Sequence, residues 1–108
     1  MAFQKTFTLP SGVSGNYTRL ITYRWDRSVR EAVALFALYV DASAASSGKQ
    51  PLTPFIAKLR LEGSKFDQYL ANATLQNHEP IAQLYEAAKA ELIACDFGSN
   101  AFADAADV

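Results

Sequence analysis

From Phe3 to Leu9 the chain alternates Phe3, Lys5, Phe7 and Leu9 with Gln4, Thr6 and Thr8. A period of two predicts a strand, here at a sheet edge and with Lys5 on the apolar side. Pro10 ends it, and residues 11–16 supply the glycines and small polar groups that a turn needs. Residues 17–25 are rich in β-branched and aromatic side chains and predict a second strand. Strict alternation places Tyr17, Arg19, Ile21, Tyr23 and Trp25 on one face, with Thr18, Leu20, Thr22 and Arg24 on the other. Asp26, Arg27 and Ser28 then turn the chain back as a hairpin. Residues 29–40 carry both signals, because Arg30-Glu31-Ala32 and Leu35-Phe36-Ala37-Leu38 favour helix while Val29, Val33, Tyr39 and Val40 favour strand. Alternation tips the choice to a strand that is charged at its start and buried on both faces later.

Further along, residues 41–50 (DASAASSGKQ) are small and polar, and Pro51 and Pro54 bracket Leu52 and Thr53. A mobile loop without regular pairing is expected there. Phe55 to Leu61 alternates Phe55, Ala57, Leu59 and Leu61 with Ile56, Lys58 and Arg60 and stops before Gly63, which predicts another strand. Ser64 is placed to cap a short helical turn that docks Phe66, Tyr69 and Leu70 on the sheet. Pro80 suits the first position of a helix. Ile81, Leu84, Tyr85, Ala88 and Leu92 follow at helical spacing, leaving Gln83, Glu86, Lys89 and Ala90 solvated. Gly98 lies past the helix end, and Phe102 is the one aromatic in the small-residue stretch 99–108. The expected fold is an α+β domain over residues 1–98, a mainly antiparallel sheet of roughly three to four strands with one C-terminal amphipathic helix packed on it. Residues 99–108 are expected as a tail ordered on contact.

Composition agrees with one domain. The 108 residues are 50% hydrophobic and 12% aromatic, enough for a chain of this size to build one core. The single cysteine, Cys95, excludes an internal disulfide. With no signal-like apolar run in the first twenty residues, a reducing cytoplasm is expected. The apolar run 32–40 is too short to cross a bilayer, so no membrane role is expected. Net charge is −1, yet it is unevenly spread. Lys5, Arg19, Arg24, Arg27 and Arg30 outweigh Asp26 among the first thirty residues, whereas acids dominate from residue 64 onward.

Candidate chemistry is sparse. One histidine, His78, stands in the polar run 76–79, and a lone histidine without a paired nucleophile is no catalytic constellation. Cys95 reads as an inert thiol. His78 and Cys95 are too few for a zinc site, Asp96, Asp104 and Asp107 lack a calcium-loop spacing, and Gly12 and Gly15 lie between strands where no phosphate loop forms. No catalytic residue, metal or cofactor is expected, and the chain is read as a non-enzyme. Arg19, Arg24, Arg27 and Arg30 with Tyr17, Tyr23 and Trp25 imitate a nucleic-acid surface. Alternation separates Arg19 from Arg24, however, so no single basic surface follows and nucleic acid is not the expected partner.

Thr6-Phe7-Thr8-Leu9-Pro10-Ser11-Gly12-Val13, Tyr17 and Leu20-Ile21 resemble the start of a family of small phage and prophage proteins encoded near tail genes. Residues 48–52 (GKQPL) resemble its mid-chain loop, 66–70 (FDQYL) its aromatic segment, 85–89 (YEAAK) its terminal helix and 102–108 (FADAADV) its closing signature. The chain departs at Thr18, where the family commonly has a histidine, and over 93–100, where it has a leucine-threonine-leucine-type link. The resemblance favours strand for residues 29–40. It implies a virion structural or assembly protein, most of all of the tail, with other phage structural proteins as partners, located in the bacterial host cytoplasm and then in the virion. As a mechanism, the basic N-terminal third of one subunit is expected to meet the acidic C-terminal third of the next in a homo-oligomer. Arg19, Arg24, Trp25 and Arg27 would lie on one side, and Asp104 and Asp107 on the other, with Phe102 as a hydrophobic strap. The alternatives are a small regulator binding a host protein and a nucleic-acid-binding hairpin protein.

Overall fold

A computed structural model describes residues 2–76, 78–91 and 93–108, with side chains at all of these except 54, 55 and 72. Strands β1 (Phe3–Thr8), β2 (Ser14–Asp26), β3 (Glu31–Tyr39) and β4 (Thr53–Glu62) follow one another as an antiparallel meander. The two-residue strands β5 (Ala94–Cys95) and β6 (Ala106–Asp107) flank it, giving the six-strand order β5-β4-β3-β2-β1-β6. Helices α1 (Ala42–Ser46), α2 (Ser64–Leu70), α3 (Asn72–Leu75) and α4 (Pro80–Ala90) complete the described elements. The α+β class and the antiparallel sheet agree with the patterning, whereas three to four strands and a single helix were too few.

The differences have identifiable causes. Residues 41–50 were expected as a mobile loop, but Asp41 is an N-cap whose carboxylate accepts from the Ala44 amide at 2.8 Å. The alanines behind it form α1, and Ala45 is buried against Ala37, Tyr39 and Tyr17. Thr53 pairs with Leu38, so β4 begins before Pro54, where the missing amide donor is tolerated at the start of a strand. Gly63, with φ of 56°, precedes α2, and Ser64 is its first residue instead of a side-chain cap. Strand β1 is not a bare edge, because Phe3 and Gln4 pair with Asp107 and Ala106 of β6.

The core lies on one face of the sheet. Helix α4 starts at Pro80 as its sequence predicts and buries Leu84, Tyr85, Ala87 and Ala88; Leu92, placed at the end of that stripe, lies outside the described residues. Beside it pack Phe66, Tyr69 and Leu70 of α2. The third covering element is the C-terminal segment. Phe102 is fully buried, with its ring centroid 4.8 Å from that of Phe3 and 5.7 Å from that of Phe36. Successive turns over 98–105 lead into β6, and Ala2 and Val108 exchange backbone hydrogen bonds of 2.9 and 3.0 Å. Residues 99–108 are thus part of the domain, not a separate tail. An apolar ring in a chain with one small core is worth more inside than as an exposed strap.

Candidate interaction surface

Strand pairing decides which side chains share a face. Residues directly opposite one another across antiparallel strands point the same way. In β2, Thr18 pairs with Leu38 and Leu20 with Phe36, so all four lie on the core side. Tyr17 and Arg19, opposite Tyr39 and Ala37, lie on the outer side. At Ile21 the register shifts: Leu20 faces Phe36 but Thr22 faces Leu35, leaving Ile21 as the extra residue of a β-bulge. One inserted residue reverses the facing of everything beyond it. Thr22 and Arg24 therefore join Arg19 on the outer side, while Tyr23 and Trp25 cross to the core side, opposite Ala34 and Ala32.

This corrects the strict alternation expected for residues 17–25. Arg19 and Arg24 share one surface, and Lys58 and Arg60 of β4 join them through Leu35 and Val33. The Leu20 amide, beside the bulge, donates to the buried Tyr85 hydroxyl of α4 at 2.7 Å. Burial pushes that phenol above its usual range. Thr18 is also buried, and its hydroxyl has no hydrogen-bond partner among the described residues.

Helix α1 covers the outer face only beside Tyr17 and Tyr39. The remainder is open. Glu31 and Glu62 both pair with Arg60, and Asp26 accepts from the Ser28 hydroxyl and amide, which holds its carboxyl below the usual range. Arg24 and Lys58 have no carboxylate in ion-pair range among the described residues, and neither does Arg19, whose guanidinium lies 5.0 Å from the Tyr39 ring centroid. The committed charges on this face include all three acids, whereas the uncommitted ones are basic. Beside the β2–β3 turn a hollow of about 280 Å³ is lined by Arg24, Trp25, Asp26, Val29, Glu31 and Val33.

The remaining interface candidates do not gather here. Trp25 stacks on Tyr23 with centroids 5.5 Å apart on the other side of the strand. Arg27, in the turn, donates to the Leu70 carbonyl at 2.7 Å. Phe102 is interior and offers no strap. Asp104 accepts from Lys5 at 2.6 Å, a contact that holds its carboxyl below the usual range, and Lys5 also donates to the Ala101 carbonyl at 2.8 Å. Asp107 lies in β6 within 3.4 Å of Lys89. Arg30 pairs with Asp67. The basic and acidic thirds of the chain thus meet partly within the molecule. Sequence reasoning missed Arg19, Lys58 and Arg60 as companions of Arg24 on one face; the only signal for the last two was their shared parity along β4, which says nothing of β2.

His78 is exposed, and burial raises the half-buried Cys95 thiol above its usual range. Among the described residues, no group of three His, Cys, Asp or Glu is placed to hold a metal ion, and no helix is long and apolar enough to cross a membrane. No family model, curated protein or solved structure matches the chain.

Proposed function

We propose that the chain is a binding protein working through protein–protein contacts, and that its setting is a bacteriophage or prophage particle, most of all the tail, or the assembly of one. The observation that carries the first part is the open outer face of the sheet, where Arg19, Arg24 and Lys58 form no ion pair among the described residues while the nearby carboxylates are engaged. Support for the phage setting is the run of family-like segments from residue 6 to residue 108. On this reading the chain is a structural element and not a catalyst, and it needs no cofactor. The contact between subunits uses the outer face of the sheet, not an exposed C-terminal strap.

Light scattering on the full chain across concentration and salt tests self-assembly. The expected mass is a multiple of 11.8 kDa that falls as salt rises. A constant 11.8 kDa at high concentration retires self-association and favours a regulator that binds a host protein. The basic grouping created by the Ile21 bulge also favours a second reading, a nucleic-acid-binding hairpin. Duplex DNA titrated at low salt should then bind and weaken steeply with added salt; absence of binding removes that reading.

A further inference from the structure

Strand β2 outruns its neighbour. It pairs with β3 from Tyr17 to Asp26, but β1 accompanies it only from Ser14 to Thr18. Beyond the Leu20 amide, which Tyr85 takes, the flank of β2 turned away from β3 has no strand partner among the described residues. Alternate N–H and C=O groups of a strand paired on one side point outward and can accept another strand. The side chains along this flank are Ile21, Thr22, Tyr23 and Arg24, all exposed, followed by the half-buried Trp25.

We propose that this flank, from Ile21 to Asp26, accepts an extended segment of a partner protein as an added strand, with an acidic side chain on the outer face against Arg24 and apolar ones opposite Tyr23 and Trp25. The inference rests on the reading that the chain works by protein contacts, and it names the partner's chemistry. The backbone supplies pairing, and alternate side chains supply selectivity. A nucleic-acid strand fits less well, since it cannot pair with the strand's amides and carbonyls.

The probe is a capped peptide of pattern Thr-Val-Glu-Val-Thr, matched to Thr22, Tyr23, Arg24, Trp25 and Asp26, titrated into the full chain. Trp25 is the only tryptophan and reports from the flank itself. The peptide should shift Trp25 emission and slow hydrogen exchange at amides within 22–26. Arg24→Glu should weaken binding about tenfold or more while leaving the melting temperature nearly unchanged, because Arg24 is exposed and forms no ion pair among the described residues. A peptide N-methylated at alternate amides should fail to bind. No emission shift, slowed exchange only elsewhere, equal binding of the N-methylated peptide or equal binding of a lysine-for-glutamate peptide each overturns the proposal. Binding of a single-stranded oligonucleotide in place of the peptide overturns it in favour of nucleic acid. A failed peptide titration beside a multimeric mass removes strand addition alone, whereas a bound peptide beside a monomeric mass supports it and removes self-assembly.

Discussion

The C-terminal segment 93–108 and the outer half of β2 look alike in composition, each mixing aromatic with charged residues, yet they have opposite fates. Phe102 is enclosed by Phe3, Phe7 and Phe36, and Asp104 and Asp107 pair with Lys5 and Lys89. Along β2, Arg24 has no ion pair among the described residues, and Tyr23 remains 44% exposed although it sits on the core side of the sheet. A charged or aromatic run says nothing about availability until its partners are known. The C-terminal segment uses its groups in its own fold, while Arg24 and Tyr23 of the β2 flank are left exposed.

Breaking the first region should have the largest effect. Phe102→Ala is expected to cost about 3–5 kcal/mol, the usual range for emptying a buried aromatic site, against a total of about 5–15 kcal/mol for a domain of this kind. Urea unfolding reads it; a change within experimental scatter would return residues 99–108 to the status of a tail.

Tyr85→Phe probes the link between the core and the bulge. The Leu20 amide would lose its acceptor, at a cost of about 1–3 kcal/mol. Amide exchange near Leu20 and Ile21 should quicken more than exchange in α2; uniform loss of protection would mean that the hydroxyl does not hold the bulge.

Thr18→Val should act in the opposite direction. The substitution keeps the shape and removes a buried hydroxyl without a partner, so a gain of about 1 kcal/mol in thermal or urea unfolding is expected. Destabilisation would reveal a hydrogen bond to Thr18 in solution.

The smallest effect is a pH dependence. Asp104 is held below its ordinary value by the hydrogen bond from Lys5. Its contribution to stability is thus present above the ordinary carboxylate range and is lost as pH falls through the lowered value. Asp104→Asn should reduce stability slightly at neutral pH and flatten the acid limb of the stability profile. An unchanged profile would show that the Lys5 contact has no energetic weight.

What the sequence determined by itself is what short-range pattern can carry. Residues 3–8 and 55–61 alternate, residues 80–90 repeat at helical spacing behind Pro80, and glycines mark the first turn, so those elements were legible. A sharper reading of Asp41 before a run of alanines would also have found α1, since an N-cap is a local signal. Two features belonged to the tertiary structure alone. The Ile21 bulge depends on β3 lying alongside and on Tyr85 reaching Leu20 from 65 positions away, and nothing within residues 17–25 announces it. Phe102 is interior because Phe3 and Phe36 leave space for one more ring, and its own neighbours in the chain are small. Period and propensity act over a few residues, whereas facing and burial are settled by which distant segments are brought together.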